Sequence, residues 1–381
     1  MKPVFIISDN IVSPIALTSN ENFSLLKAGV SGIQLHHKAI SPEPFYASLF
    51  NEAAGFTTSV NNADAYTKFE RLLIASVQDA LSLAQVDCAG KRTVLIISST
   101  KGNISLIEKE PLNADVKKRV ALHESARAVA DYFHFTTNPV VVSHACISGL
   151  VALITGMRLL QSGRFDHAVI AGADMITQFV LSGFRSFHAI SDAPCKPFDA
   201  RRNGITLGEA AATIILSVHK PDAKESIQLA GGAVSNDANH ISGPSRTGEG
   251  LFRSIKSAMD EAKLNPNQID YISAHGTATP FNDEMEGIAL NRMALENVPV
   301  NSLKGFYGHT LGASGLLETV ISIESALQNK LYFSMGFDET NLSQPIAIIK
   351  KNKNTVINYF LKTASGFGGC NTAVIFEKVK L

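Results

Sequence analysis

Short runs rich in valine and isoleucine alternate along the whole chain with segments of helical periodicity, and this alternation constrains the fold more than any other feature. In residues 66–84, Phe69, Leu73 and Val77 recur on one side, as in a helix that packs on a sheet. Alternating buried strands and helices are typical of layered α/β proteins, so we predict this class. The strand-like runs include residues 4–7, 93–97, 140–142, 168–171, 212–216, 269–272 and 373–376.

Composition and charge narrow the classes of function. The 34 basic and 34 acidic side chains of the 381 residues give no net charge, which argues against nucleic acid as the main partner. Hydrophobic residues make up 45% and charged residues 18%, a balance that can bury a large core. No apolar run approaches the roughly 18 residues of a membrane span, and the first run is too short for a signal peptide. We therefore expect a cytoplasmic protein that does not bind membranes.

The segment around Cys146 is the strongest candidate for chemistry. Residues 140–149 predict a buried strand, a tight turn that holds Cys146, and then a long helix. A thiol at a helix N-terminus lies near unsatisfied N–H groups and the positive end of the helix dipole, which favour thiolate. The alternative is a buried cysteine that acts as a small hydrophobe. The chain has no C-x-x-C pair, so we expect neither a metal site nor a disulfide framework.

Two histidines beside glycines are the next candidates. His275 opens the run His275-Gly276-Thr277-Ala278-Thr279, and His309 follows Gly308. Each alone can be a structural histidine in a tight turn, so the alternative stays open for both. Lys304 lies between them, Glu318 follows on a predicted helix, and a glycine-rich loop occupies residues 366–369.

The order of these motifs resembles that of the β-ketoacyl-acyl-carrier-protein synthases of the elongating type, and the resemblance spans nearly the whole chain. It implies a thiolase-like fold of five layers, αβαβα, with two pseudo-symmetric halves. We place the halves at residues 1–217, which carry the cysteine, and 218–381, which carry the two histidines. A weak internal match between Ser148-Gly149-Leu150 and Ser314-Gly315-Leu316, each opening an apolar helix, is consistent with such a duplication. The motifs are Ala145-Cys146-x-Ser148-Gly149, Pro197-Phe198-Asp199-x-x-Arg202-x-Gly204, Gly208-Glu209, His275-Gly276-Thr277-x-Thr279, Lys304, Gly308-His309-x-Leu311-Gly312-Ala313 and Gly366-Phe367-Gly368-Gly369.

The resemblance implies a decarboxylative Claisen condensation in fatty-acid biosynthesis. Cys146 would take an acyl group from a carrier-protein thioester, and His275 and His309 would stabilise the enolate formed when malonyl carrier protein loses carbon dioxide. The N–H groups of Cys146 and Phe367 would form the oxyanion hole. Lys304 would orient the site through Glu318.

The resemblance also implies the binding residues and partners. Thr277 and Thr279 match positions that bind the phosphopantetheine arm, and Phe367, flanked by Gly366 and Gly368, matches the gate of the acyl pocket. An acidic carrier protein needs a basic docking patch, for which we name Arg202, Arg201, Lys68 and Arg71. No resident cofactor is expected, because phosphopantetheine arrives on the carrier protein. We expect a homodimer, and a heterodimer remains an alternative.

Departures from the family pattern leave alternatives open. Lys101 aligns near an apolar position of the acyl pocket, where an unpaired buried charge would disfavour a plain long alkyl chain. The second interpretation is therefore a polar, aromatic or short acyl substrate in a specialised aryl-polyene or polyketide pathway. His144 replaces a threonine two residues before Cys146, and Cys370 also replaces a threonine. A thiolase-like enzyme acting on coenzyme A is disfavoured, because Cys370 follows Gly368-Gly369 and not the thiolase pattern. A non-catalytic partner subunit of the chain-length-factor kind is disfavoured by the presence of the cysteine and both histidines.

Overall fold

The computed structural model describes residues 2–37, 40–51 and 60–380. The strands are β1 (Phe5–Val12), β2 (Gln34–His36), β3 (Phe45–Ser48), β4 (Thr93–Ser98), β5 (Val140–Val142), β6 (His167–Asp174), β7 (Leu207–Gly208), β8 (Ala210–Ser217), β9 (Glu225–Asn236), β10 (Tyr271–Ser273), β11 (Val300–Asn301), β12 (Lys330–Leu331), β13 (Lys353–Asn354), β14 (Tyr359–Gly366) and β15 (Cys370–Lys380). The α-helices are α1 (Ser19–Lys27), α2 (Lys68–Ser82), α3 (Leu106–Lys109), α4 (Ala114–Arg119), α5 (Leu122–Tyr132), α6 (Ser148–Gln161), α7 (Gln178–Ser186), α8 (Glu249–Ala262), α9 (Pro280–Arg292), α10 (Lys304–Tyr307) and α11 (Ser314–Leu327).

Ten strands form one connected mixed sheet, and its pairing pattern occurs twice. The order is β11-β10-β14-β15-β9-β1-β8-β6-β4-β5. Outward from β1, the strands β8 and β6 pair antiparallel, and β4 and β5 then continue in parallel. Outward from β9, the strands β15 and β14 pair antiparallel, and β10 and β11 continue in parallel. The two five-stranded units meet where β1 pairs with β9 through Phe5–Gln228 and Ile6–Ile227. The predicted division between residues 217 and 218 stays a prediction.

Helices cover both faces of each unit, as α/β layering requires. On the outside of the first unit α2 packs on β1, β6 and β8, and α8 packs on β9 and β15 of the second. Between the units lie α6 and α11, which contact strands of both units and each other. Helix α2 begins with a capping box between Thr67 and Glu70, and its buried side includes Leu73 and Val77, as the sequence pattern predicted. The predicted α/β class is confirmed.

Glycines allow the two central helices to approach closely in a reciprocal way. A Cβ atom on Gly149 would lie 3.0 Å from the backbone nitrogen of Leu316, and one on Gly315 would lie 3.0 Å from the backbone nitrogen of Leu150. A side chain at either position would therefore push the helices apart. The contact joins the first turns of the two helices that the internal sequence match identified.

The repeated topology brings the candidate residues to one region. Cys146 lies between β5 and α6, and Lys304 and His309 lie between β11 and α11, the corresponding elements of the second unit. His275 follows β10, which corresponds to β4 of the first unit. Among the described parts of the chain, no helix combines the length and apolarity that crossing a membrane demands.

Candidate active site

Cys146 lies in a tight turn directly before α6. Ser148 stabilises this turn, because its hydroxyl accepts a hydrogen bond from the backbone nitrogen of His144 at 2.7 Å and donates one to the carbonyl of Ala145 at 2.6 Å. The turn also places Ala145 at a φ of 45°, in the left-handed region that alanine seldom adopts. Such local strain is frequent at functional sites. The strand, turn and helix predicted around this cysteine are therefore all present.

Burial opposes the thiolate form that the place of Cys146 at a helix N-terminus was predicted to favour. Burial raises the pKa of the thiol to about 12, and the nearby Cys370 thiol contributes to the rise. The ammonium groups of Lys304 and Lys101 and the backbone N–H of Phe367 lower the pKa, but they do not offset the burial. Cys146 is only 7% exposed, so its anion would lose most of its hydration. At neutral pH the free site therefore holds a neutral thiol.

Hydrogen-bond partners fix which nitrogen of each imidazole carries the proton. The Nδ1 atom of His275 lies 3.4 Å from the Nζ atom of Lys304, and the Nδ1 atom of His309 accepts a bond of 3.3 Å from the backbone nitrogen of Leu311. An ammonium and an amide nitrogen can only donate, so both Nδ1 atoms are acceptors and the protons lie on Nε2. Within the described residues, the buried Nε2 of His309 has no hydrogen-bond partner. Each ring therefore has a free donor to offer.

Both imidazoles are neutral at physiological pH. Burial holds the pKa of His275 well below 6.5, and the charges of Lys304, His309 and Lys362 lower it further. Burial, Lys304 and Lys362 lower the pKa of His309 in the same way. The two rings are nearly perpendicular, at 84°, with centroids 5.1 Å apart. The pair can therefore donate two neutral N–H groups to one oxygen that gains negative charge.

A buried charge cluster lies behind the histidines. The Nζ atom of Lys304 lies 2.6 Å from the Oε1 atom of Glu318 and also donates to the carbonyl of His275 at 2.6 Å. Ser314 donates to the same Oε1 at 3.0 Å, one helical turn earlier. The Oε2 atom of Glu318 lies 2.8 Å from the Nζ of Lys362. The contact expected between Lys304 and Glu318 is present, whereas the sequence analysis did not single out Lys362.

Two further buried carboxylates hold the loop that carries His275. Glu286 accepts bonds from the backbone nitrogens of His275 at 2.8 Å and Gly276 at 2.6 Å. Asp283 accepts from the backbone nitrogen of Thr277 at 3.0 Å. Burial raises the pKa of Asp283 to about 7, and the neighbouring Glu286 adds to this rise. Helix α9 therefore fixes the backbone from which His275 and Thr277 project.

The glycine-rich loop approaches Cys146 closely. A Cβ atom on Gly366 would lie 3.1 Å from the backbone nitrogen of Cys146 and 2.9 Å from the sulfur of Cys370, so a side chain does not fit there. The backbone N–H of the next residue, Phe367, is among the groups that lower the pKa of the Cys146 thiol. The glycine-rich loop thus brings the backbone of residues 366–367 close to that of Cys146, as an oxyanion hole would require. The oxyanion-hole role itself stays a prediction.

A cavity of about 420 Å³ joins the candidate residues to the surface. Cys146, His275, His309, Thr277 and Thr279 line it. The hydroxyls of Thr277 and Thr279 are 2.8 Å apart and can bind a polar ligand along the wall. Aromatic rings form another wall, because Phe367 packs against Phe184 and Phe187 with centroids 5.4 and 5.2 Å away. The cavity also reaches Gly366.

Two predicted substrate-binding residues, Gly368 and Lys101, lie outside this cavity, as does His144, for which no position was predicted. Gly368 does not line this cavity, and its backbone nitrogen donates to the carbonyl of Ile241. Lys101 is half-buried and does not line it either, although its charge acts on the Cys146 thiol. Its backbone nitrogen donates to Asp174, which also accepts from the backbone nitrogen of Gly312, so Lys101 belongs to a turn tied to the His309 segment. His144 is exposed and lines no part of the cavity.

The predicted docking cations do not form a set of free surface charges. The side chain of Arg202 is only 7% exposed, and its guanidinium donates to the carbonyl of Asp199 at 2.9 Å and to Asn341 at 2.5 Å. These contacts draw the Arg202 side chain into the protein, and its docking role stays a prediction. Lys68 lies 3.4 Å from the buried Glu209, and Arg71 is half-buried. Arg201, at 60% side-chain exposure, is the most accessible of the four.

Sequence reasoning missed several residues that shape the site, chiefly Lys362, Glu286, Asp283 and Asp174. A signal existed for Lys362, because a lysine interrupts the apolar run of β14 four residues before the glycine-rich loop. Asp283 and Glu286 recur at helical spacing soon after His275 and could have been predicted to face its loop. Asp174 ends the buried strand β6, a position where a carboxylate needs partners.

The chain is similar to known proteins over nearly its whole length. Two family models match it: the N-terminal domain of beta-ketoacyl synthases over residues 1–221 and the C-terminal domain over residues 227–334. A Staphylococcus aureus protein named 3-oxoacyl-[acyl-carrier-protein] synthase 2 is 25% identical over 415 residues, covering 99% of this chain and 98% of that protein. The structure of a beta-ketoacyl synthase from Burkholderia phymatum matches with a TM-score of 0.87 and 24% identity over 100% of both chains. A ketosynthase in complex with its chain length factor, from Xenorhabdus doucetiae, matches with a TM-score of 0.82 and 24% identity over 99% of this chain and 98% of that one. The predicted thiolase-like fold is confirmed.

Proposed function

The chain belongs to the beta-ketoacyl synthase family, and from this premise we propose that it is a catalytically active 3-oxoacyl-[acyl-carrier-protein] synthase of fatty-acid biosynthesis. One observation carries the proposal: Cys146, His275 and His309 line a single cavity, with Lys304 and Glu318 in contact directly behind the histidines. A subunit that only supported another synthase would have no need of this set of groups.

In the first half-reaction, the sulfur of Cys146 attacks the thioester carbon of an acyl carrier protein. A carbon–sulfur bond to Cys146 forms, the bond to the pantetheine sulfur breaks, and the thiol proton ends on the departing pantetheine thiol. The raised pKa of Cys146 means that this proton leaves during the attack and not before it. The N–H groups of Cys146 and Phe367 stabilise the oxygen anion of the tetrahedral intermediate.

In the second half-reaction, a malonyl carrier protein enters the same cavity. Its carboxylate leaves as carbon dioxide, and the electron pair of the broken bond forms an enolate whose oxygen accepts hydrogen bonds from the Nε2–H groups of His275 and His309. Neutral imidazoles suit this step, because they donate without being consumed as acids. The enolate carbon attacks the acyl thioester, Cys146 leaves and regains a proton, and the product is a 3-oxoacyl chain two carbons longer.

The proposal includes an acyl carrier protein as the donor of both groups. Cys146 lines the same cavity as Thr277 and Thr279, whose hydroxyls could bind a pantetheine arm that reaches the thiol. We also expect two copies to associate. The outer strand β5 carries half-buried valines and, among the described strands, pairs on one side with β4 and ends the sheet, which leaves an edge for a partner.

Product analysis tests the proposal directly. The purified protein is incubated with hexanoyl and malonyl carrier proteins, and the carrier-bound product is measured by mass spectrometry. We expect 3-oxooctanoyl carrier protein from the wild type and none from Cys146→Ala. The variant Cys88→Ala, in which a cysteine outside the cavity is changed, serves as the control and should keep the activity. If the wild type forms no 3-oxo product from any acyl donor, the proposed activity is wrong and the partner-subunit interpretation replaces it.

A second candidate is a ketosynthase of a specialised aryl-polyene or polyketide pathway. The half-buried Lys101, whose ammonium acts on the Cys146 thiol, favours it, because a charge near the acyl pocket disfavours a plain alkyl chain. The same assay with a cinnamoyl donor in place of hexanoyl separates the two. A preference for the aromatic donor would support the specialised pathway, and a preference for the alkyl donor would support fatty-acid elongation.

A further inference from the structure

Lys362 is a fully buried lysine that the mechanism above does not use. It lies in the middle of β14, between the equally buried Leu361 and Thr363, and is 0% exposed. Its Nζ atom donates to the carbonyls of Ser273 at 3.1 Å, Ala274 at 3.2 Å and Thr363 at 2.8 Å. Burying a lysine this completely is unfavourable unless its charge has partners. The complete burial of this charge therefore needs a physical explanation.

Two of the three carbonyl partners of Lys362 belong to the residues that precede His275, and the third belongs to the next residue of β14. Two of its N–H groups thus hold the segment before His275 against β14. The fourth contact is the Oε2 atom of Glu318 at 2.8 Å. Glu318 therefore lies between two ammonium groups, with Oε1 at Lys304 and Oε2 at Lys362. Taken alone, this triad of side chains bears one net positive charge next to both imidazoles.

We propose that Lys362 is a second positioning residue of the condensation site, which pairs with Glu318 together with Lys304 and holds the backbone before His275 in place. This inference rests on the proposed function and deepens it. A single lysine, already hydrogen-bonded to the carbonyl of His275, would leave one oxygen of Glu318 without a cation. Lys362 supplies this second cation and adds positive potential behind the point where the enolate forms.

Charged and titratable groups face the imidazoles from every element packed around them. Lys304 comes from α10, Glu318 from α11, Lys362 from β14 and Glu286 from α9, and Cys146 lies across the cavity. Burial is the main reason for the low pKa of both histidines, and Lys362 is among the charges that lower it further. Removal of the Lys362 charge should therefore raise both pKa values, so that the imidazoles become protonated at a higher pH.

A titration of the histidines tests the inference without relying on activity. The full-length protein is labelled with 13Cε1-histidine, and the signals of His275 and His309 are assigned from the variants His275→Ala and His309→Ala. Both pKa values should rise in Lys362→Met. Lys378→Met is the matched control, because Lys378, on the neighbouring strand β15, is also buried and donates to the carbonyl of Ala326 near the end of α11. Unchanged pKa values in Lys362→Met, or equal changes in Lys378→Met, would overturn the inference.

A second variant separates the charge from the backbone contacts. Lys362→Gln keeps donors for the carbonyls before His275 but removes the charge, and it also guards against failure of the methionine variant to fold. Lys362→Gln should raise both pKa values as the methionine does. If the histidine pKa values rise in Lys362→Met but not in Lys362→Gln, the effect comes from lost positioning, and the role of the charge is overturned.

Kinetics give the remaining readout. Acyl transfer to Cys146, which needs no enolate, should be nearly unchanged in Lys362→Gln, whereas malonyl decarboxylation and condensation should fall by on the order of tenfold. The acid limb of the condensation rate should move to higher pH, following the imidazoles. Equal losses in both half-reactions would indicate a merely structural lysine. A wild type that never condenses would refute the proposed function, while the histidine titration would still decide the role of Lys362.

Discussion

Replacement of Glu318 with glutamine is the sharpest perturbation of the buried charge cluster. The glutamate is 2% exposed, with Lys304 at 2.6 Å and Lys362 at 2.8 Å. Glutamine has nearly the same shape, so the packing of α11 stays the same while the negative charge between two ammonium groups is lost. Loss of one partner of a buried ion pair costs about 3–5 kcal/mol, because the remaining charge is buried without compensation. Since two lysines are left unpaired at once, we expect Glu318→Gln to lower the free energy of unfolding by about 3–5 kcal/mol at pH 7.

The effect should depend on pH with a definite sign. Burial raises the pKa of Glu318, but the charges of Lys304 and Lys362 outweigh burial and hold the pKa below its usual value of 4.5. A carboxylate whose folded-state pKa is depressed stabilises the protein above the unfolded pKa and loses this contribution as the pH falls through the folded value. The difference in stability between the wild type and Glu318→Gln should therefore be complete above pH 4.5 and shrink below it.

Urea unfolding followed by far-ultraviolet circular dichroism measures this difference, since the chain contains no tryptophan for fluorescence. The control is Glu324→Gln on the same helix, where the side chain is half-buried and is hydrogen-bonded by Gln328. We expect this control to change the stability by about 0.5 kcal/mol or less. If Glu318→Gln is no more destabilising than Glu324→Gln, the two-lysine reasoning is refuted.

Three further predictions follow from the same structure. Burial and nearby lysines hold the pKa of His275 and His309 well below 6.5, so the condensation rate should stay level from pH 8 down to about 6.5. An acid limb centred near pH 6.5 would contradict the neutral state of the two imidazoles. In Gly208→Ala, the new Cβ atom would overlap the carbonyl oxygen of Tyr307 and displace the segment that carries His309. The free energy of unfolding should fall by about 1–3 kcal/mol, and the condensation rate should also fall. An unchanged condensation rate in a folded variant would contradict this prediction. In Lys101→Ile, the ratio of Cys146 acylation by long alkyl donors to acylation by a cinnamoyl donor, measured by intact-protein mass spectrometry, should increase because the ammonium near the thiol is removed, and any change in thiol reactivity affects both donors alike. The exposed Lys91→Ile should keep the wild-type ratio, and an equal ratio in the two variants would place Lys101 outside the acyl site.

The sequence was sufficient to predict the local structures that carry the chemistry. The strand, turn and helix around Cys146 follow from a run of valines, a short polar turn and an apolar helical pattern, all of which are local properties. The same holds for the helix Lys68–Ser82, whose capping box can be read from the residues themselves. The two histidine loops were predicted from their glycines and threonines, and they do line one cavity with Cys146.

Properties that depend on which segments pack together were not predictable. The Cys146 thiol has a raised pKa because the folded chain buries it, and a helix N-terminus does not reveal how much water remains. The guanidinium of Arg202 is drawn inward by Asn341, which is distant in sequence. The importance of Lys362 requires knowing that β14 pairs with β10, the strand before His275. Such pairings join residues about 90 positions apart, and no local pattern encodes them.

The central claim is that Cys146 is the acyl-accepting nucleophile and that its acyl group is then consumed by condensation. Intact-protein mass spectrometry after incubation with an acyl carrier protein, followed by addition of malonyl carrier protein, tests both parts. The account predicts an acyl adduct on the wild type and on Cys88→Ala, and none on Cys146→Ala. It also predicts that the wild-type adduct disappears once malonyl carrier protein is added. An adduct that survives in Cys146→Ala, or one that malonyl carrier protein does not remove from the wild type, would contradict the account.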